Sequence, residues 1–234
     1  MADLLVRRGL LRVGPHRPLP SLFALPGLPQ QPWWALAHLP PATQAAISAL
    51  CASAPALLAE YEALERAAPQ GDYAADSEHH AKLHTGAWTW HSAVQRGRLL
   101  PAFALAAPQA ASLICAVPGL ITGGVPFSYA FFSHLRAGAE IGAHCGPTNV
   151  RLRVHVPLRV PQGDVGLRVA GEARAWKVGE PLIFDDSFEH SAWNRSAGDR
   201  LVLLLDVWSP EVLVEERALI EGMFGKARKE GWLE

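Results

Sequence analysis

Cysteine and lysine are both scarce in this 234-residue chain. Its three cysteines, Cys51, Cys115 and Cys145, are too few for a disulfide scaffold and suit a reducing, cytoplasmic setting. Neither sign of charge is in excess: 21 basic and 22 acidic residues leave a net charge of −1, which excludes a general nucleic-acid footprint. Only four of the basic residues are lysines, Lys82, Lys177, Lys226 and Lys229, so arginine, the better donor to carboxylates and phosphates, carries the positive charge. The longest apolar stretch, Phe103 to Ile121, is broken by Pro108, Gln109 and Pro118. No run of about 20 apolar residues is present, so no transmembrane helix is expected. The first residues, MADLLVRRGLLRVGPHRPLP, lack the continuous apolar segment of a secretory signal.

What is present is a half-hydrophobic chain, 50% apolar and only 18% charged, of a length that builds one domain with a real core. Eight prolines between residues 14 and 41 forbid a long helix there, and Leu22–Trp34 reads as an extended strap along a core. From Thr43 to Ala67 the spacing of Ile47, Leu50, Leu57, Leu58, Tyr61 and Leu64 predicts helix, broken or kinked at Pro55. Residues 69–80 read as a polar loop and 108–116 as a short helix. After Pro126, short segments alternate with Gly, Pro and Asp turns: 127–135, 150–160, 166–170, 173–178, 181–184 and 201–207. That rhythm predicts a mainly β domain, a sandwich or jelly-roll barrel, closed by a helix over 211–229 with Val212, Leu219, Ile220 and Phe224 on its apolar side. The chain is therefore expected to be one catalytic domain: a strap and supporting helices to residue 126, a β-core over 127–210, and a C-terminal helix.

The strand Arg151-Leu152-Arg153-Val154-His155-Val156 places Arg151, Arg153 and His155 on one face and three aliphatics on the other. At the mouth of a jelly roll, such a face suits an anion bearing carboxylates. His144 and His190 stand in turn-like contexts on separate segments, one way to hold a divalent metal, although the spacing alone does not establish it. Arg200 opens a later strand.

The run His144-Cys-Gly-Pro-Thr-Asn-Val-Arg-Leu-Arg-Val-His155, with Ile183-Phe-Asp-Asp-Ser-Phe-Glu-His190, Arg200 and Asp206-Val-Trp208, resembles the aspartyl/asparaginyl β-hydroxylase family. The resemblance is dense from Phe127 to Pro210. It implies a double-stranded β-helix and an iron(II)- and 2-oxoglutarate-dependent dioxygenase that uses O2. Carried over, His144 and His190 match the two iron ligands. Arg200 matches the arginine for the distal carboxylate of 2-oxoglutarate, Ser133 matches its assisting hydroxyl, and Arg153 and His155 match residues near the chelating carboxylate. Arg151 is assigned either to a substrate carboxylate or to the cosubstrate. Gly146 stands where most oxygenases of the superfamily carry a ligating carboxylate, an absence the family shares. Asp185 and Asp186 are candidates to orient the imidazoles.

The implied substrate is an aspartyl or asparaginyl peptide, a protein, a carrier-bound amino acid or a free one. Alternatives are an acyl-chain hydroxylase of the lipid A type, a catalytically silent ligand-binding barrel, and halogenation at the position Gly146 vacates. His80 and His84, four apart, lack the glutamate of a zinc protease helix, since Ala81 stands there. His134 is expected to pack away from Ser133, Cys145 to be a buried thiol, and Trp88, Trp90, Trp176, Trp193 and Trp208 to belong to the core.

Overall fold

In a computed structural model, residues 18–73 and 83–232 are described. His79, His80 and most of the expected 69–80 loop lie outside them. His84 falls in a two-residue strand, not on a helix.

The prolines of the first half start helices. Helix α1 (Pro41–Ala52), α2 (Ala54–Ala67), α3 (Pro101–Ala106) and α4 (Pro108–Cys115) each carry proline in their first turn, where the missing N–H costs nothing and the fixed φ already suits a helix. The expected break falls at Ser53, ahead of Pro55, and bends α1 from α2 by 64°. Among the described residues no single helix is long and apolar enough to cross a membrane.

Two antiparallel sheets face each other without closing into one barrel. The strands are β1 (Trp33–Trp34), β2 (His84–Thr85), β3 (Trp88–Gln95), β4 (Arg98–Leu99), β5 (Tyr129–Leu135), β6 (Glu140–His144), β7 (Arg151–Arg159), β8 (Val165–Val169), β9 (Glu172–Arg174), β10 (Leu182–Phe184), β11 (His190–Asn194) and β12 (Arg200–Trp208). The larger sheet runs β1-β10-β7-β12-β5-β3-β4 and the smaller β2-β6-β11-β8-β9, the arrangement of a double-stranded β-helix. Helix α5 (Val214–Lys229) closes one end.

Four strands come from before residue 127, so the supporting half of the chain also builds the sheets. The alternation that makes β3 is hidden in Trp-Thr-Trp-His, whose tryptophans read as core. Within residues 22–34, Phe23 bridges Thr148 and Trp33–Trp34 pair with β10, and just ahead of them Pro18 bridges Phe188. The expected strand 173–178 shortens to β9. At the C-terminus, Leu219 lies 73% exposed, whereas Val212, buried ahead of the helix, packs with Ile220 and Phe224.

Strand β7 divides as its pattern requires. Leu152, Val154, Val156 and Leu158 pack beneath α1 and α2 against Ile47, Leu50, Leu57 and Tyr61. Arg151, Arg153 and His155 line a cavity of about 930 Å3 between the sheets. Burying the aliphatic face against two helices is what turns three polar side chains inward.

Candidate active site

His144 ends β6 and His190 begins β11, and the register sets them directly opposite each other. Opposed residues of an antiparallel pair project together, and the two imidazole centroids lie 4.1 Å apart. Each ring is held the same way: Nδ1 of His144 lies 2.9 Å from the Gly142 carbonyl, and Nδ1 of His190 lies 2.9 Å from the Phe188 carbonyl. A carbonyl only accepts, so each Nδ1 carries the proton and each Nε2 the lone pair. Burial, then the neighbouring His144, pulls His190 down to about 3, so it is neutral. The orienting groups are thus main-chain carbonyls, not Asp185 or Asp186. Asp185 instead accepts from the backbone N–H and hydroxyl of Ser187, at 2.9 and 2.6 Å.

Asp186 belongs to a buried ionic network. It accepts from Arg151 Nε at 3.1 Å and from Nη2 at 2.5 Å, and lies 3.4 Å from Arg153 Nη1. Asp206 accepts from Arg151 Nη1 at 2.9 Å and from Arg153 Nε and Nη2 at 2.9 and 3.1 Å. Burial alone would raise the Asp186 carboxyl, but Arg151 and then Arg153 outweigh it and hold the group below the ordinary carboxylate range. Two guanidiniums and two carboxylates leave this network neutral. Arg151, 1% exposed, is therefore committed to Asp186, Asp206 and the Phe127 carbonyl.

Arg200 is different. Its Nη1 donates to the carbonyl and hydroxyl of Ser133 at 3.0 and 3.1 Å, and its Cζ lies 4.7 Å from the Trp176 ring centroid. No carboxylate of the described residues pairs with it, and its Nε is buried without a partner. Burial lowers it to about 9. Ser133 Oγ accepts from Trp88 Nε1 at 2.9 Å as well, which leaves its own proton to donate elsewhere.

His155 supplies a second unused donor. Trp176 Nε1 donates to its Nδ1 at 3.1 Å; an indole N–H only donates, so the imidazole proton sits on Nε2. That Nε2 is buried and unpartnered. Burial, followed by the charges of Arg200 and Arg153, keeps the ring neutral.

The cavity thus holds one uncompensated buried cation, a second orphaned N–H and two imidazoles with matched tautomers. Buried donors are seldom left unpaired, and this set fits a metal carrying a dicarboxylate. The tryptophans divide: Trp176 and Trp208 are buried, but Trp88 and Trp90 line the cavity with Tyr73, whose ring centroid lies 5.0 and 4.6 Å from theirs. The alternating Trp-x-Trp of β3 was the signal for that wall.

Two facing sheets, with paired imidazoles at adjoining strand ends of the smaller one, define a double-stranded β-helix protein with a cavity between the sheets. The chain belongs to the aspartyl/asparaginyl β-hydroxylase family, whose model matches residues 52–210. It is 32% identical over 217 residues to aspartate β-hydroxylase domain-containing protein 2 of Xenopus tropicalis, covering 89% of this chain and 55% of that protein. It is 36% identical over 132 residues to aspartyl/asparaginyl β-hydroxylase of Homo sapiens, covering 56% of this chain and 17% of that protein. The chain therefore spans about half the length of the frog relative and far less of the human one. A cupin conserved barrel domain protein from Salinispora arenicola overlays with a TM-score of 0.29 at 13% identity, over 43% of this chain and 71% of that one.

Proposed function

We infer that the chain is an iron(II)- and 2-oxoglutarate-dependent hydroxylase that oxidises the β-carbon of an aspartyl or asparaginyl residue or an aspartate-like substrate. Family membership supports hydroxylation, and one observation carries the finer reading: Arg200, a fully buried guanidinium with no carboxylate partner and an unused Nε, in the same cavity as the histidine pair. A cation held this way at the expense of stability is explained by an anion that arrives later.

In this reading His144 and His190 would hold iron through Nε2. Arg200 and the Ser133 hydroxyl would take the distal carboxylate of 2-oxoglutarate, and His155 Nε2–H would donate to its other carboxylate. Oxidising power for an unactivated C–H bond comes from iron(II), 2-oxoglutarate and O2 when bound, with succinate and CO2 released. The protein's part is to orient and to exclude water. Arg151 and Arg153, neutralised by Asp186 and Asp206, stiffen the wall, while Trp88, Trp90 and Tyr73 line the cavity for the substrate.

Halogenation fits less well, because the space beside Gly146 is filled by the Asp186 carboxylate, which leaves no room there for an added anion. Turnover with and without chloride checks this, and a chlorinated product would revive it.

Anaerobic titration with iron(II) and 2-oxoglutarate tests the main reading. The visible charge-transfer band of the chelate is expected in the wild type and not in His144→Ala. Folded protein that shows no band and binds neither component overturns it.

A further inference from the structure

The cavity does not end at the histidines. Its lining includes Arg96, Arg98 and Arg228, which the mechanism leaves unused; Arg96 and Arg98 are exposed and Arg228 half-buried, so they mark the end open to solvent. Arg96 and Gly97 form the two-residue turn between β3 and β4, both with positive φ, 48° and 68°. Such a turn favours Asn, Asp or Gly at its first position, and a side chain with a Cβ is strained there. A strained residue whose side chain borders the cavity points to a use for that side chain.

The turn is also clamped in place. Gly97 N–H donates to the Ser128 carbonyl at 3.0 Å, and Gly124 N–H donates to the Gly97 carbonyl at 3.2 Å. Gly124, itself at φ 72°, sits between two guanidiniums. The position its Cβ would take is 3.2 Å from Arg228 Nη1 and 3.3 Å from Arg98 Nε. Arg228 reaches this point from α5 and donates to the Gly124 carbonyl. Among the described residues, the arginine ion pairs use Arg136, Arg151, Arg153, Arg159, Arg174 and Arg195, and none uses Arg96, Arg98 or Arg228. Glu221 approaches the neighbouring Gly123 without pairing with any of the three. Arg98 and Arg228 thus meet at Gly124 without an ion pair of their own among the described residues; like charges so placed repel one another, and a bound anion relieves that repulsion.

We propose that Arg96, Arg98 and Arg228 form an anion subsite at the outer end of the cavity, which receives a second negatively charged group of the substrate, a carboxylate or a phosphate ester, remote from the carbon hydroxylated. The proposal rests on the hydroxylase reading for the inner end. It makes the substrate an extended anionic molecule and not a free amino acid, which would fill the inner end alone.

The test uses the full chain, anaerobic, with iron(II) and 2-oxoglutarate added. Three fluorescent aspartyl peptides of equal length carry a glutamate, a phosphoserine or a glutamine several residues from the aspartate. At low ionic strength the two anionic peptides are expected to bind roughly tenfold more tightly than the neutral one, an advantage that shrinks with salt. Their relative order separates carboxylate from phosphate. The advantage is expected to disappear in Arg96→Asn and in Arg98→Gln. Because Arg96→Asn relieves the turn, that variant should melt no lower than the wild type, so lost affinity there is not lost fold. Equal binding of all three peptides, binding of none, or an advantage that survives both substitutions overturns the subsite. If the charge-transfer band forms but the peptides bind alike, only the subsite falls. If the arginine-dependent preference stands without the band, only the hydroxylase reading falls.

Discussion

A Cβ placed on Gly146 would stand 2.3 Å from Oδ2 of Asp186, so the aspartate fills the space that any side chain at position 146 would need. The two segments are fastened there, since Gly146 N–H also donates to the Asp186 carbonyl at 2.6 Å. Asp186 is itself buried and ion-paired to Arg151 and Arg153, so it cannot step aside cheaply. The glycine two residues after His144 is therefore required by packing, whatever it does for the metal.

Restoring a carboxylate at this position should accordingly fail to create a three-ligand centre. Gly146→Asp brings a second carboxylate against Asp186 and is expected to bind iron(II) more weakly than the wild type. Even Gly146→Ala should lose about 1–3 kcal/mol of stability from overpacking. Iron titration and thermal melts check both. Tighter iron binding by the aspartate variant would show that Asp186 does not block the position.

Arg200 should show opposite effects on stability and binding. A buried cation without a carboxylate partner burdens the unliganded fold, so Arg200→Met is expected to melt at an equal or higher temperature in the absence of 2-oxoglutarate. The same variant should lose about 2–5 kcal/mol of 2-oxoglutarate binding, the usual cost of removing one side of a buried charge pair. Calorimetric titration beside a melting curve reads both. Unchanged cosubstrate affinity would remove Arg200 from its role.

Strand β7 shows how much was legible in the sequence. Its period of two separated Arg151, Arg153 and His155 from the aliphatics before any contact was known, because one face had to meet a core. The convergence of His144 and His190 was not legible from spacing. It depends on the pairing of β6 with β11, two five-residue strands whose turn-like flanks hide them, and only family resemblance joined the two histidines. The arginines also looked equivalent in sequence. What divides Arg151 and Arg153 from Arg200 is the position of Asp186 and Asp206, which arrive from separate segments and neutralise the first two only. The rim of Arg96, Arg98 and Arg228 left no sequence signal at all, since α5 must fold back onto Gly124 to complete it.

Arg151, read from sequence as a partner for substrate or cosubstrate, should behave as part of the fold. Arg151→Met leaves Asp186 and Asp206 with Arg153 alone, and breaking a buried pair in this way costs about 3–5 kcal/mol. Pairing it with Asp186→Leu should recover part of that loss, because contacting residues are not additive. Urea unfolding of both variants checks this. A stable Arg151→Met with a raised KM for substrate alone would return the residue to substrate recognition.

His134 gives a pH prediction away from the metal site. Its Nδ1 contacts the Tyr61 hydroxyl and lies 3.2 Å from Glu65 Oε1, while Nε2 lies 3.1 Å from Asp199 Oδ2 without a well-directed hydrogen bond. Two carboxylates would favour imidazolium, but Arg136 bridges both, at 2.6 and 3.0 Å. Their charge is already matched, so burial, helped by Arg136, lowers the His134 pKa. The folded ring therefore stays neutral where the unfolded one titrates. As pH falls through about 6.5, the unfolded chain takes up a proton that the folded chain does not, and stability declines until the lowered folded pKa is reached. His84, His91 and His155 are lowered as well and add to the same slope. His134→Gln should thus start from a lower melting temperature but lose less of it between about pH 7.5 and about pH 5. An unchanged or steeper slope in the variant would mean that His134 is already protonated in the fold, with Glu65 and Asp199 outweighing its burial.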